Sequence, residues 1–469
     1  MANVGTIANP LRVAIVGAGP AGFYTAEHLL KNKEITVEID LFDRLVTPFG
    51  LVRHGVAPDH QKIKNVTKAY DRQAKNPQMR YYGNVMYGQD ISLADLKRFY
   101  HQVCFTTGAS SDRKLNIPGE DLMGSVPATE FVAWYNGHPD YRHYQFDLSQ
   151  ESVAVVGVGN VAVDVARILC RTPEELASTD MADHALKVLQ HSRVKKVYLL
   201  GRRGPAQAAF TNPEIREMGE LAGADLIVSP EEVILDPLSQ RFLDEDADKL
   251  TIKKVKMLQD FAQLKPQGKE KQLIMRFLTS PVALLGDELG CVESMTLVKN
   301  ELYKADDGSL RPRPTEETES LPVGLVFRSV GYRGVSLPDI PFHDRWGTIN
   351  NKEGRIIGAE TEQPLTGLYT AGWIKRGPSG VIGTNKPDAV ETVKHMLADL
   401  EQGAILKPEA PSVDAAAKFI QDRQPDFVSY EDWLRVDEVE VNRGQEQGRP
   451  RVKFTNTEEM LALTEKLKV

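Results

Sequence analysis

A strand–glycine–helix pattern near the start of the chain constrains the fold more than any other feature of the sequence. From Leu11 the sequence reads LRVAIVGAGPAGFYTAEHLL, an apolar run followed by glycines at a G-x-G-x-x-G spacing and an Ala-rich helical segment. This order predicts a buried parallel strand, a tight turn and a helix whose N-terminal N–H groups bind the pyrophosphate of a dinucleotide. The residues of this predicted site are Gly17, Gly19, Pro20, Ala21 and Gly22.

The strand predicted next in the chain ends in an acid. The segment TVEIDLFDR reaches Asp43, about 26 residues after Gly17, at the strand end where this fingerprint expects an acid. A carboxylate at that strand end accepts hydrogen bonds from ribose hydroxyls. An unrelated glycine turn followed by a surface aspartate is the alternative interpretation.

The same pattern returns in the middle of the chain. The segment SVAVVGVGNVAVDVARILC has Ala162 in the third position of the fingerprint, a variant that still permits close packing of helix on strand. The residues of this second predicted site are Gly157, Gly159, Asn160 and Val161. The following strand, KKVYLLGRRGP, ends in Arg202 and Arg203 instead of an acid.

The two strand ends predict different ligands. A carboxylate repels the 2′-phosphate of NADP, whereas guanidinium groups bind a phosphate through paired hydrogen bonds. The second site is therefore expected to bind NADP, although a solvated basic turn without a ligand would give the same sequence. The simplest assignment is FAD as a prosthetic group at the first site and NADPH as an exchangeable substrate at the second.

Composition excludes several other kinds of function. A net charge of −8 and a pI near 5.8 argue against a general nucleic-acid binder, which needs a basic surface. The three cysteines are far apart, so they predict neither a disulfide framework nor a redox dithiol, and an iron–sulfur cluster commonly needs four thiolates. The ten histidines form no pair with metal-ligand spacing, and we predict no metal site.

The expected location of the protein in the cell rests on the lack of targeting and membrane-spanning patterns in the sequence. No leader-like N-terminus and no apolar run of membrane-spanning length is present, so we expect a soluble cytoplasmic protein that binds no membrane. We also expect a monomer.

Five further segments carry a resemblance to a known family. They are TPFGLVRHGVAPDH (47–60), GRRGPAQAAFTNPEIREM (201–218), RFLTSP (276–281), RSVGYRG (328–334) and YTAGWIKRGPSGVIGTNKPDA (369–389). Together with the two glycine patterns they resemble the adrenodoxin-reductase-like ferredoxin–NADP reductases, a branch of the glutathione-reductase-like flavoproteins. The resemblance extends from about Leu11 to beyond Ala389, and the tail resembles that of the bacterial members.

The resemblance implies an α/β fold with two Rossmann-like domains. A discontinuous FAD domain would comprise residues 1–115 and 325–469, and the NADP domain, 116–324, would be inserted within it. Gly50 and Leu51 would contact FAD, and Trp373 would lie against the isoalloxazine ring. The loop containing Gly380, Val381 and Ile382 would present N–H groups to the flavin, with a helix starting near Pro387; as a bare sequence the loop is equally compatible with an ordinary helix cap.

The resemblance also implies a mechanism and a partner. His60 and Glu214 match the positions on the nicotinamide side, where a hydrogen-bonded pair would orient the ring during hydride transfer to FAD. Electrons would then pass singly to ferredoxin or flavodoxin. Because ferredoxins are acidic, we expect a basic docking patch. The candidates are Arg193, Lys195 and Lys196, and Lys253, Lys254 and Lys256.

Other functions remain as alternatives at this stage. An NADPH-dependent flavoprotein that reduces a small two-electron acceptor would use the same two cofactors. The missing CxxC argues against a disulfide reductase, and a glutamate-synthase-like subunit would add an N-terminal cysteine-rich cluster domain. A non-catalytic FAD sensor would not need the arginine-ended second site. The tail from about Leu406 is expected to be a small helical or strand appendage without assigned chemistry.

Overall fold

The computed structural model describes residues 4–465, which divide into two compact units. Within the described residues, the first unit comprises 4–111 and 331–465, and the second comprises Asp112–Val330. The domain boundaries predicted from the sequence lie four residues from the first of these breaks and six from the second. Each unit has its own sheet and its own cores.

The first unit is built on a seven-stranded sheet. Five strands run parallel, and two short strands add an antiparallel edge. In spatial order the strands are Asn351–Lys352, Arg355–Ile357, Pro364–Thr370, Gln102–Phe105, Leu11–Val16, Val37–Phe42 and Met79–Tyr82. Its helices are Pro20–Lys31, Leu51–His54, Gln61–Lys64, Thr67–Ala74, Leu93–Phe99, Trp373–Arg376, Asn385–Glu401, Val413–Arg423, Tyr430–Glu446 and Thr457–Glu465.

The second unit repeats this plan with a six-stranded parallel sheet. In spatial order its strands are Ser125–Pro127, Leu325–Arg328, Ser152–Val156, Lys196–Leu200, Lys271–Arg276 and Ala224–Val228. Its helices are Ala128–Tyr135, Asn160–Cys170, Pro173–Ala177, Asp183–Leu189, Asn212–Met218, Pro237–Glu245 and Lys249–Phe261. A three-stranded antiparallel sheet, Thr279–Gly286, Val292–Lys304 and Leu310–Pro322, completes the unit.

The strands that lead into the two glycine turns, Leu11–Val16 and Ser152–Val156, are apolar except for Arg12 and Ser152, because each strand is covered on two faces. Val13 and Ile15 belong to one core and Val16 to the other, since successive side chains of a strand point to opposite faces. Val155 and Val156 divide in the same way in the second unit, where the antiparallel sheet forms part of one covering layer. Continuous apolar runs are typical of such doubly covered parallel sheets.

The C-terminal tail is helical and lies in the first unit, as predicted, but it packs into the cores of that unit and is not a peripheral appendage. Trp433 and Val436 of helix Tyr430–Glu446 pack in one core, and Ala416 and Ile420 of helix Val413–Arg423 pack in the other. Helix Tyr430–Glu446 begins with a capping box in which Ser429 and Asp432 bind each other's backbone N–H groups.

No helix among residues 4–465 is both long enough and apolar enough to cross a membrane.

Candidate dinucleotide sites of the two units

The first glycine turn lies at the point of the parallel sheet where the order of the strands reverses, because the next strands along the chain are added on opposite sides of the first one. Strand Leu11–Val16 pairs with Val37–Phe42 on one side and with Gln102–Phe105 on the other, and such switch points bind ligands in α/β folds. Gly17 adopts φ 113°, and a Cβ there would lie 2.6 Å from the carbonyl oxygen of Thr106. Only glycine fits this contact, and the Thr106 hydroxyl strengthens it by donating to the Gly17 carbonyl at 2.8 Å.

The helix that follows presents its N-terminus without a side-chain cap. Gly19 is the N-cap residue and Pro20 opens the helix, so no side chain of the cap occupies the N–H groups of the first turn. A Cβ at Gly22 would lie 2.2 Å from the Gly17 carbonyl oxygen, which explains the close packing of helix on turn. The geometry of Gly17, Gly19, Pro20, Ala21 and Gly22 therefore fits a bound pyrophosphate.

Asp43 lies beside this turn, at the end of the second strand. Its carboxylate accepts hydrogen bonds from the backbone N–H groups of Ala18 (2.8 Å) and Leu45 (3.0 Å). Burial raises the pKa of Asp43 above its ordinary value, against the lowering effect of these two hydrogen bonds. Further donors such as ribose hydroxyls would stabilise the charged carboxylate, whose oxygens have lone pairs to spare.

The segment before helix Leu51–His54 is held against the same turn. The Phe49 N–H donates to the Ala18 carbonyl at 2.8 Å, and both Phe49 (φ 83°) and Gly50 (φ 47°) have left-handed backbone. A Cβ at Gly50 would lie 3.0 Å from the Gly19 Cα. The structure thus brings Gly50 to the first glycine turn, with Leu51 opening the next helix.

The tail fixes this helix through a buried ion pair that the sequence did not reveal. Glu440 is fully buried and binds the Arg53 guanidinium through both carboxylate oxygens, at 2.5 and 2.8 Å. The Lys453 ammonium donates to the Arg53 carbonyl at 3.2 Å, and the Arg53 guanidinium lies 5.1 Å from the ring centroid of Trp433.

The glycine-rich loop near Trp373 is organised by Arg376. The Arg376 guanidinium donates to the carbonyl of Ser379 at 2.7 Å and to the side-chain oxygen of Asn385 at 3.0 Å, so it ties together the two ends of the loop that contains Gly380, Val381 and Ile382. Trp373 is half-buried, its ring centroid is 5.5 Å from that of Tyr332, and its indole N–H donates to Ser379 at 3.3 Å.

The helix after this loop starts at Asn385 and not at Pro387 as predicted. Proline is tolerated throughout the first turn, because the N–H groups there have no intrahelical partner. Contact of Trp373 and of residues 380–382 with a flavin stays a prediction.

The second glycine turn repeats the geometry of the first in the second unit. Gly157 adopts φ 133°, and a Cβ there would lie 2.2 Å from the carbonyl oxygen of Ser329, which follows the neighbouring strand. Gly159 caps helix Asn160–Cys170 without a side-chain hydrogen bond. Asn160 is not free: its side-chain oxygen accepts from the Thr211 N–H at 2.8 Å, which connects the turn to the segment carrying Glu214. Val161 is half-buried in the first helical turn.

The arginine-ended strand carries positive charge without a counter-charge. Arg202 is exposed, Arg203 is half-buried, and neither guanidinium has an ion-pair partner among residues 4–465. Burial lowers the pKa of Arg203, and the neighbouring Arg202 lowers it further. Two adjacent guanidiniums in this state form a site for an anion, which fits the 2′-phosphate of NADP.

Glu214 and His60 belong to different units. Glu214 is buried in the first turn of helix Asn212–Met218, and the fully buried Arg167 donates to its carboxylate at 3.3 Å. Arg167 also binds Asp164 at 2.7 Å. His60 is half-buried at the N-cap of helix Gln61–Lys64. The predicted pairing of His60 with Glu214 therefore stays a prediction.

Two of the three cysteines, Cys104 and Cys170, are poorly placed for thiol chemistry. Cys104 and Cys170 are fully buried, in the first and second unit respectively, and burial raises the pKa of each thiol to about 12. Protonated thiols are poor nucleophiles near neutral pH.

One of the predicted docking lysines is not available on the surface. Lys254 is buried, donates to the Ala208 carbonyl and lies 5.8 Å from the ring centroid of Phe210. The remaining candidates, Arg193, Lys195, Lys196, Lys253 and Lys256, are exposed. Lys195 forms an exposed ion pair with Glu151 at 2.6 Å.

The chain is similar to known oxidoreductases over nearly its whole length. A family model described as pyridine nucleotide-disulphide oxidoreductase matches residues 11–203. NADPH-ferredoxin reductase FprA of Mycobacterium tuberculosis is 44% identical over 466 residues, covering 97% of this chain and 99% of the relative. The mitochondrial NADPH:adrenodoxin oxidoreductase of Rattus norvegicus is 40% identical over 462 residues, covering 96% and 91%. A solved structure of Mycobacterium tuberculosis FprA in complex with NADPH matches with a TM-score of 0.92 at 42% identity, covering 97% of this chain and all of that one.

Proposed function

The chain belongs to the family of adrenodoxin-reductase-like ferredoxin–NADP reductases, and on that premise we propose that it exchanges electrons between NADPH and a ferredoxin through bound FAD. The observation that carries the assignment of cofactors is the contrast between the two glycine turns. The first is completed by the carboxylate of Asp43, and the second is followed by the guanidiniums of Arg202 and Arg203, which have no ion-pair partner among the described residues.

The first unit offers the groups that FAD needs. When bound there, FAD would supply the chemistry that joins a two-electron hydride donor to a one-electron acceptor. The N-terminus of helix Pro20–Lys31 binds the pyrophosphate, and Asp43 accepts hydrogen bonds from ribose hydroxyls. Gly50 lies against the same turn, and Trp373 and the loop 380–382 would line a bound flavin.

The second unit selects NADPH over NADH. Arg202 and Arg203 bind the 2′-phosphate through charge-assisted hydrogen bonds, each worth about 1.5–3 kcal/mol. The N-terminus of helix Asn160–Cys170 receives the pyrophosphate, since its cap leaves the first-turn N–H groups without a side-chain partner. Before binding, the like charges of the two guanidiniums repel each other, and the phosphate relieves this repulsion.

His60 and Glu214 orient the nicotinamide in this proposal. Arg167 supports the assignment of Glu214, because a buried guanidinium fixes the position of its carboxylate at the start of a helix. Neither residue forms a covalent bond with the substrate, since hydride transfer needs only correct placement of the two rings.

The electron partner is an acidic one-electron carrier, a ferredoxin or a flavodoxin. Charge complementarity increases the rate of such encounters, and the exposed cations Lys195, Lys196, Lys253 and Lys256 are the candidate docking groups. We place the enzyme in the cytoplasm as a monomer, which size-exclusion chromatography at several protein concentrations would check.

Anaerobic titration of the purified yellow protein tests the proposal. NADPH should bleach the visible flavin band rapidly and NADH slowly, because only NADPH carries the 2′-phosphate. Replacing Arg202 and Arg203 together by glutamine should raise the KM for NADPH and leave that for NADH nearly unchanged.

The matched control is Arg311→Gln, which removes an exposed arginine of the same unit that already pairs with Asp307. Equal reduction by NADPH and NADH in the unsubstituted protein would contradict the NADPH assignment. Reduction of ferricyanide without any reduction of ferredoxin or flavodoxin would contradict the one-electron partner.

A further inference from the structure

The backbone of the arginine turn is held by the antiparallel sheet of its own unit. Asn300, on strand Val292–Lys304, is 5% exposed. Its side-chain amide donates to the carbonyl of Arg202 at 2.9 Å and to the hydroxyl of Ser280 at 2.8 Å. A side chain 98 positions away in the sequence thus fixes the peptide of the first arginine.

Three consecutive carbonyls of the turn are bound in this way. The Thr279 N–H donates to the Gly201 carbonyl at 2.9 Å, Asn300 binds the Arg202 carbonyl, and the Leu278 N–H donates to the Arg203 carbonyl at 3.1 Å. Because the direction of each peptide is fixed, the path along which the two arginine side chains leave the backbone is fixed as well.

The segment that makes these bonds is itself in an unusual conformation. Leu278 has φ 51°, a left-handed backbone that a leucine rarely adopts. Its carbonyl accepts from the Asn300 N–H at 2.6 Å, so Asn300 holds Leu278 as well as Arg202. Conformations of this kind persist where the surroundings determine them and are enriched at ligand sites.

An asparagine suits this position because it donates a hydrogen bond without carrying charge. A lysine or arginine would add to the repulsion between Arg202 and Arg203, and an acid would compete with the phosphate for their guanidiniums. The neutral amide leaves both cations available to a ligand.

We propose that Asn300 is a positioning residue for NADP selectivity, which fixes the arginine turn in the conformation that binds the 2′-phosphate. The proposal rests on the function assigned above to Arg202 and Arg203. Asn300 acts through the peptide of Arg202 and does not touch the substrate.

The test uses the FAD-loaded full chain and 2′,5′-ADP, which carries the 2′-phosphate without a nicotinamide. Asn300→Ala should raise the Kd for 2′,5′-ADP about threefold to tenfold in calorimetric titration, as expected for one lost hydrogen bond. The KM for NADPH should rise by a similar factor, whereas the KM for NADH and the FAD content should not change.

Glu301→Gln is the matched control, because Glu301 is the next residue on the same strand but is exposed and pairs with the exposed Arg313. It should bind 2′,5′-ADP like the unsubstituted protein. If the alanine variant does not fold, Asn300→Ser provides a second test, since serine keeps a polar side chain too short to bind the Arg202 carbonyl.

The outcomes separate this proposal from the function on which it rests. A folded Asn300 variant with an unchanged Kd for 2′,5′-ADP, or with equal rises in KM for NADPH and NADH, would overturn the role of Asn300. Loss of selectivity on replacing Arg202 and Arg203 would still support the NADP site in that case. If the arginine variant also bound 2′,5′-ADP normally, the assignment of the NADP site itself would fail.

Discussion

Replacing Glu440 by glutamine should destabilise the first unit strongly, although Glu440 lies in the C-terminal tail. The carboxylate binds Arg53 through two oxygens, Arg451 at 3.1 Å and the Phe454 N–H at 2.8 Å. Glutamine has nearly the same shape as glutamate, but its NH₂ group would replace one of the two oxygens. This group cannot accept a hydrogen bond, so it would face N–H donors that the glutamate oxygen now binds. The substitution would leave Arg53 buried without its counter-charge.

The expected loss is large on the scale of protein stability. Removing one partner of a buried ion pair typically costs about 3–5 kcal/mol. For a domain of about 150–250 residues, each kcal/mol lowers the Tm by about 2–4 °C, so the transition of the first unit should fall by roughly 6–20 °C. Scanning calorimetry at neutral pH measures this change, and release of FAD fluorescence reports the same unit.

The effect should also depend on pH in a defined direction. Burial would raise the pKa of Glu440, but the charges of Arg53 and Arg451 outweigh it and the pKa is lowered from 4.5. A lowered pKa contributes stability above the unfolded value and loses it as pH falls through the folded value. The difference between the two proteins should therefore be constant near neutral pH, begin to shrink below about pH 4.5, where the glutamate of the unfolded chain becomes protonated, and be lost as pH falls through the lowered pKa of the folded Glu440.

Glu438→Gln, an exposed position on the same helix, is the control and should change stability by no more than about 0.5 kcal/mol. The reasoning would be refuted if Glu440→Gln melted like this control, or if its deficit stayed the same at every pH.

Three further predictions concern cofactor, nicotinamide and partner. Gly17→Ala should yield protein with little FAD, because the new Cβ would collide with the carbonyl oxygen of Thr106, and the flavin absorbance per chain measures this loss. His60→Ala and Glu214→Ala should slow stopped-flow reduction by NADPH while FAD stays bound, and unchanged rates in both variants would return these residues to a structural role. Added salt should slow reduction of an acidic ferredoxin more than it slows reduction of the flavin by NADPH, since exposed charges are screened over roughly 8–10 Å. The charge reversal Lys253→Glu should likewise slow reduction of the ferredoxin, and it should leave the rate of ferricyanide reduction unchanged.

The two glycine turns were predictable because their determinants are local in sequence. A glycine with left-handed backbone at Gly17 or Gly157 follows a buried strand directly, so the spacing of a few residues specifies the turn. The next strand brings Asp43 or Arg203 beside that turn, because parallel strands align their carboxyl ends. Family and fold followed from these segments together with the five that resemble known reductases.

The start of the helix near Pro387 and the solvent exposure of the lysine side chains were predicted less well. The helix after the loop 380–382 starts before Pro387, since proline fits any position in a first turn. Lys254 was expected in a docking patch, yet it lies one turn before the buried Leu258 and shares its face of the helix. A run of lysines does not show which face of its helix is covered.

What the sequence alone determined is the chemistry of the two turns: the glycines that open each site, and the acid or arginines that complete it. The tertiary structure alone decided what holds those turns in place. Thr106 meets Gly17 only because their strands are neighbours in the sheet, Asn300 reaches Arg202 across 98 positions, and Glu440 reaches Arg53 across 387. Such contacts depend on the packing of distant elements, and no local spacing of residues encodes them.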